Sequence, residues 1–290
     1  MVSRFSIKPL LLQCLAFGFA VACSLAPSSA SAQQIDLGTA AQYSGFFFGN
    51  VSKVPDVEGR LALGGNLSIS GFSIGGRVPA GSGQPSLVVA GDLTAIGGGA
   101  IYDGSGHNGY AIYSGNRAAS TPTYIDFRKQ APNPVDFDAE RTYLTFLSQQ
   151  LRDTPATGTV HLLYSAVTLT GSNQDIEVFN LTSDLVRGGL DLYLENVKPD
   201  AHVIINVSAD AQRKVKIGIT MASLESRHSK VLFNLHDADV LNFTGVWVWG
   251  SVLAPYACVR DANGHLEGTI VAASWDAGME IGYGPFLPSK

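Results

Sequence analysis

The sequence predicts a mainly β protein, a parallel β-helix or β-solenoid with one long α-helix packed along its side, and three features carry that prediction. Residues 57–76 alternate apolar and polar side chains in short runs broken by Gly59, Gly64, Gly65, Gly71, Gly75 and Gly76. Period-two alternation favours strands, and glycine serves the tight corners between them. The element Gly65-Asn66-Leu67-Ser68 returns as Gly91-Asp92-Leu93-Thr94. A degenerate strand-corner-strand repeat suits a stack in which each coil buries its apolar side on its neighbours. One segment, 136–151, contains neither glycine nor proline and spaces its apolar residues helically.

At the N-terminus, Arg4 and Lys8 precede an apolar run over 9–22, and a small-residue stretch ends in Ala30-Ser31-Ala32. That layout predicts a secretory signal peptide over 1–32, cut between Ala32 and Gln33, with one β-helical domain over 33–290. Ala20-Val21-Ala22-Cys23 gives a second possibility, a weak lipobox in which Cys23 becomes the lipidated first residue. The apolar run is well short of the roughly 20 residues a membrane-spanning helix needs. Removing the leader takes Arg4 and Lys8 from the 19 basic residues, so 17 face 24 acidic ones and the formal charge moves from −5 to −7. Nucleic acid is thereby excluded as a partner, and no membrane insertion of the mature chain is expected. Of three cysteines only Cys258 follows the leader. No internal disulfide staples the mature chain.

Strands are expected in order over 57–76, 87–97 and 99–104. The helix follows over about 135–152, after Asn133-Pro134, with Phe137, Tyr143 or Leu144, Leu147 and Leu151 on one side and early acids suited to its N-terminus. Strands then return at 160–163, 166–169, 175–180, 190–194, 202–207, 215–220, 231–235, 246–253 and 267–273. Turn-forming residues such as Ala262-Asn263-Gly264-His265 separate them. The helix is read as an insertion in one domain.

Several segments resemble the choice-of-anchor A family, a group of extracellular proteins with an adhesive β-helical domain. They are Ala41-Gln42-Tyr43-Ser44-Gly45-Phe46-Phe47-Phe48-Gly49-Asn50-Val51, Asp56-Val57-Glu58-Gly59-Arg60-Leu61-Ala62-Leu63-Gly64-Gly65-Asn66-Leu67 and Leu87-Val88-Val89-Ala90-Gly91-Asp92-Leu93-Thr94. Near the end follow Leu241-Asn242-Phe243-Thr244-Gly245, Gly250-Ser251-Val252-Leu253-Ala254-Pro255-Tyr256-Ala257 and Leu266-Glu267-Gly268-Thr269-Ile270-Val271-Ala272-Ala273. The resemblance implies a secreted or cell-surface, non-catalytic adhesion module whose partner is an extracellular protein or glycan ligand. A similar β-helix-with-helix layout occurs in ice-binding proteins, which keeps that function open as an alternative.

Among side chains, Val246-Trp247-Val248-Trp249 is the strongest ligand-contact candidate. With both valines in the core, Trp247 and Trp249 form an exposed row able to stack on sugar rings or bind protein; the plainer expectation is that both indoles cover the docked helix or an end of the stack. His236-Asp237-Ala238-Asp239 is the best carboxylate pair for a polysaccharide-cleaving alternative, yet it reads more simply as a turn whose aspartates cap backbone. The loop 103–109, Asp103-Gly104-Ser105-Gly106-His107-Asn108-Gly109, lacks the repeated acidic spacing of calcium loops and reads as a corner. With no His-x-x-x-His or paired-cysteine signal, no cofactor and no metal are expected. Cys258 is expected as a buried apolar thiol. Thr168-Leu169-Thr170 is only a scattered match to the regular threonine array that ice binding needs. Five Asn-x-Ser/Thr sequons begin at Asn50, Asn66, Asn180, Asn206 and Asn242.

Overall fold

The structure is a computed structural model that describes Met1 and residues 34–289; the expected cleavage site at Ala32 and Gln33 and the lipidation candidate Cys23 lie outside the described residues. Among the described residues no helix is long and apolar enough to cross a membrane. Gln34–Lys290 form one compact unit, a parallel β-helix with three strand faces and a helix on one of them.

The first face stacks ten parallel strands. From one end these are Asp126–Lys129, Tyr110–Tyr113, Leu87–Val89, Leu61–Leu63 and Gly45–Phe47. Ile270–Asp276, Ser251–Arg260, Val231–Asn234, His202–Ser208 and Ile176–Thr182 complete the face. The coils therefore do not stack in chain order. The N-terminal half builds outward from Gly45–Phe47, the chain crosses to the far end, and the C-terminal half stacks back until Ile270 pairs with Gly45.

The middle strands of this face, such as Leu61–Leu63 and Val231–Asn234, are buried throughout because both their sides are covered. Phe47, Leu61, Leu63, Val203 and Ile205 point into the β-helix, whereas Phe46, Ala62, Ile204 and Leu232 point outward under α1, the helix Phe137–Asp153. Asp136 starts α1 by accepting the Ala139 backbone N–H at 3.0 Å, and Asp138 and Glu140 occupy its first turn. Phe137, Leu144, Leu147 and Leu151 form its buried stripe.

Its 17 residues make α1 about 25 Å long at 1.5 Å per residue. That length spans about five rungs at roughly 4.8 Å each. Phe137 packs on Phe46, with ring centroids 5.2 Å apart, and the Leu151 carbonyl accepts from Asn206 Nδ2 at 2.9 Å. The helix thus crosses the seam where the two halves meet. An asparagine ladder ties its C-terminal part down: Asn234 Nδ2 donates to the Ser148 carbonyl and to Asn206 Oδ1, both at 2.8 Å, and Asn206 Nδ2 donates to Asn180 Oδ1 at 3.0 Å. Asn206 and Asn242 are buried, so two of the five sequons have no room for a glycan in the folded chain.

The repeated Gly-Asn/Asp element has a structural cause. Asn50 Oδ1 accepts the Asn66 N–H, Asn66 Oδ1 accepts the Asp92 N–H, and Asp92 Oδ1 accepts the Asn116 N–H, at 2.7–2.8 Å. Each preceding glycine lets the next corner approach closely. A Cβ on Gly91 would lie 2.6 Å from the Gly65 carbonyl oxygen, and one on Gly115 2.6 Å from that of Gly91.

Some boundaries differ from the pattern. The run 246–253 is two strands, Val246–Trp249 and Ser251–Arg260, because Gly250 at φ +146° turns the chain around a corner. The strand expected at 267–273 begins at Ile270, since Glu267 ends the preceding strand and Gly268–Thr269 form the corner. The segment 215–220 stops being strand after Ile217, and an unforeseen 3-10 helix spans Ala222–Lys230. α1 runs from Phe137 to Asp153, against the expected 135–152.

Candidate functional site

Of the three faces, the first is covered by α1 over about half of its rungs. The second presents Thr94, Ser68, Ser52, Asp276 and Arg260 on consecutive rungs, with Lys216 further along. Its small hydroxyls end where Asp276 begins, a carboxylate held by Ser52 Oγ at 2.5 Å and Lys53 Nζ at 2.8 Å.

The third face carries the richest chemistry. Trp247, His265 and Glu280 occupy successive rungs, followed in register by Asp56, Ser73 and Ala100. Alternation sets this row: Val246, Val248, Leu266, Ile281 and Val57 fill the interior, leaving the intervening side chains outside.

Trp247 is 54% exposed, and Trp249 is half-buried. The two indoles stack with centroids 5.3 Å apart and planes 11° from parallel. His265 lies 4.7 Å from Trp247 on one side, and His228 of the 3-10 helix lies 6.0 Å from Trp249. The expected open row of two indoles is therefore one accessible indole braced by a second. The helix that covers part of the pair is Ala222–Lys230, not α1. A cleft of about 170 Å³ opens beside them, lined by Gly218, Thr220, Met221, Gly245, Trp247 and Trp249.

Beside the indoles lies a charge network that pattern reading missed, because its members are distant in sequence. Arg77 bridges Glu58 and Glu267, reaching Glu267 Oε1 at 2.8 Å. His265 Nε2 lies 2.9 Å from Glu267 Oε2, and its Nδ1 lies 3.4 Å from Glu280 Oε1. Burial pushes the Glu267 carboxyl up, but the hydrogen bonds from His265 and Arg77 outweigh it and hold the group below the usual carboxylate range. The Glu267 hydrogen bond raises the His265 imidazole against the opposing effect of burial, and Glu280 adds to the rise. Asp56 is raised first by burial and then by the like charge of Glu280, partly offset by its hydrogen bond to Ser73. Among the described residues, Glu58, His265 and Glu280 bring ligand atoms within 4.8 Å of one another and are the set that could hold a cation. Arg77 already holds Glu58, so an ion would have to compete with a guanidinium.

A pH dependence follows. A histidine raised in the folded state contributes stability that is complete below its unfolded value of about 6.5 and is lost as pH rises through the folded value. Native protein is expected to unfold at lower temperature as pH rises above about 6.5. Glu267→Gln should flatten that decline, because it removes the principal cause of the shift. Unfolding midpoints across the range check this, and an equal decline in both proteins would contradict it.

The remaining candidates resolve into structural roles. Asp237 Oδ1 accepts the Ala209 N–H at 2.9 Å, while Asp239 pairs with Arg213 at 2.6 Å, so the two carboxylates act separately. Asp103 is buried and accepts from Ser82 Oγ at 2.5 Å and the Gly83 N–H at 2.8 Å. Cys258, expected to be buried, is half-buried on the outer side of its strand, because Ala257 and Val259 take the inward positions. Residues 71–75 spell Gly-x-Ser-x-Gly but lie almost wholly inside the strand Leu67–Ile74, not at the strand-to-helix turn that exposes a nucleophile. A larger cavity, about 690 Å³, is lined by Asp175, Asp200, His202, Lys230 and Leu287. Its charges are engaged locally: Lys230 reaches Asp200 at 2.9 Å, Lys198 reaches Asp175 at 2.8 Å, and His202 meets the Leu287 carbonyl at 2.8 Å.

A family model described as "Putative Ice-binding-like adhesive domain" matches residues 36–283. This differs in name from the choice-of-anchor A resemblance and shares with it an adhesive domain. No curated protein matches the chain. Among solved structures, a glycosylated ice-binding protein from Arctic yeast is 14% identical over 87% of this chain and 95% of that one, with a TM-score of 0.40. An ice-binding protein from an Antarctic biological consortium is 15% identical over 88% and 92%, with a TM-score of 0.37. An ice-binding protein domain of Shewanella frigidimarina is 16% identical over 86% and 97%, with a TM-score of 0.35.

Proposed function

The chain belongs to the ice-binding-like adhesive domain family, and on that premise we propose that it is a secreted, non-catalytic attachment module holding an extracellular protein or glycan ligand on the face of Trp247 and Trp249. The observation that carries the reading is an indole left 54% exposed on the outermost strand of the third-face ladder, braced by Trp249 and His265 and bordered by a cleft. An aromatic side chain held in place loses little freedom on binding and offers a large contact area. The carboxylates first suited to an enzyme reading, Asp237 and Asp239, serve a cap and an ion pair, which removes the support for catalysis there.

A glycan and matrix-protein array tests the reading. Native protein is expected to bind selectively, and Trp247→Ala/Trp249→Ala, checked for intact folding, to lose that binding. A native protein that holds nothing on the array would end the proposal.

The family and one feature of the second face favour ice as a second ligand: Ser52, Ser68 and Thr94 align small hydroxyls over three rungs. Asp276 and Arg260 interrupt the same row. Strong inhibition of ice recrystallisation is therefore not expected. Inhibition by the native protein that disappears in Ser68→Tyr would make ice the ligand of this face.

A further inference from the structure

We propose that the ligand of the third face is a polymer of amino sugars with free ammonium groups, one pyranose ring lying on Trp247 and ammonium groups reaching Glu280 and Asp56. This rests on the attachment reading above and names its ligand class. Four carboxylates, Asp56, Glu58, Glu267 and Glu280, surround two cations, Arg77 and His265, so the face carries an excess of negative charge. Arg77 is spent on Glu58 and Glu267, and His265 is anchored on Glu267. Glu280 and Asp56 stand side by side on neighbouring strands with the same sign, and the imidazole that reaches Glu280 at 3.4 Å, His265, is shared with Glu267, an arrangement that a further cation would relieve.

The spacing suits a polymer. At about 4.8 Å per rung, Glu280 stands about 10 Å and Asp56 about 14 Å from Trp247 along the row. An extended chain of pyranose rings advances by close to one rung per residue, so a ring on the indole places its second and third neighbours over the carboxylates. The indole offers a π face to the apolar side of the ring and to nearby ammonium groups. N-acetylation would remove the charge that the carboxylates recognise, and an acidic sugar would be repelled.

Calorimetry on the purified protein tests the proposal with four probes: a glucosamine hexamer, its N-acetylated form, an oligogalacturonate and an oligolysine. The glucosamine hexamer is expected to bind most tightly, with affinity falling as salt rises. Trp247→Ala should weaken it at least about tenfold, and Asp56→Asn/Glu280→Gln by a similar factor. The double carboxylate variant removes the like-charge contact together with the pairing of Glu280 with His265, so its fold is checked by circular dichroism; binding lost with the fold intact separates recognition from folding. Equal binding of the N-acetylated hexamer, unchanged affinity in the carboxylate variant, tighter binding of oligolysine, or no binding of the glucosamine hexamer would each overturn the inference. If an array ligand is lost in Trp247→Ala but kept in the carboxylate variant, the attachment reading stands and the amino sugar falls; if the native protein holds no array ligand and no hexamer, both fall.

Discussion

Leu144→Ala is expected to lower the unfolding free energy by about 2–5 kcal/mol, measured by chemical denaturation. Leu144 is fully buried in the cluster formed by α1 and the outward residues of the first face, among them Phe46, Ala62, Ile204, Leu232, Leu253 and Val271. These residues come from both halves of the chain, which pair strand to strand where Gly45–Phe47 meets Ile270–Asp276 and along the matching seams of the other two faces. Shortening the side chain leaves a cavity at the strap over the seam, and a stack held rung by rung closes around it poorly. Tyr143 is the control. It is 40% exposed and donates its hydroxyl to the Asp36 carbonyl at 2.8 Å, so Tyr143→Ala should cost clearly less. Equal losses in the two variants would mean that α1 is not anchored as described.

Gly91→Ala is expected to cost about 1–3 kcal/mol or more, although it adds a single methyl group. The new Cβ would meet the Gly65 carbonyl oxygen at 2.6 Å and press on the Asn66 side chain that caps Asp92. Rung spacing is set by interstrand hydrogen bonds, so the neighbouring coil cannot retreat without breaking the ladder. Gly76 offers the contrast, since a Cβ there has nothing within 4 Å. Chemical denaturation checks both variants, and Gly76→Ala should be nearly neutral in it. A tolerant Gly91 would show that the corner ladder has slack.

The choice between strand and helix was legible wherever one periodicity ran unopposed. Phe137, Leu147 and Leu151 fixed the face of α1 from spacing, and early acids marked its N-terminal end. Boundaries were lost where apolar residues ran through a corner. In 246–253 Gly250 turns the chain between two strands that are both apolar, so hydrophobicity does not register the break. The 3-10 helix Ala222–Lys230 escaped notice because a polar segment with one buried leucine, Leu224, has no strong period of its own.

The candidate site divides in the same way. Trp247 and Trp249 could be found because their alternation with buried valines is local to four residues. The network of Glu58, Arg77, His265, Glu267 and Glu280 could not, since it joins two ends of the chain.

By itself the sequence determined the β-helical class, the single long helix, the glycine-asparagine corners and the outward indoles. Each of these is decided by residues a few positions apart, where backbone sterics and side-chain alternation act directly. Only the tertiary structure decided that the last coils stack against the first, that α1 straps the seam between them, and that His265 and Glu280 stand beside Glu58 and Arg77. Parallel rungs with similar apolar patterns are nearly interchangeable as neighbours. Which one stacks on which is settled by closure of the whole core, an energy that no local pattern contains.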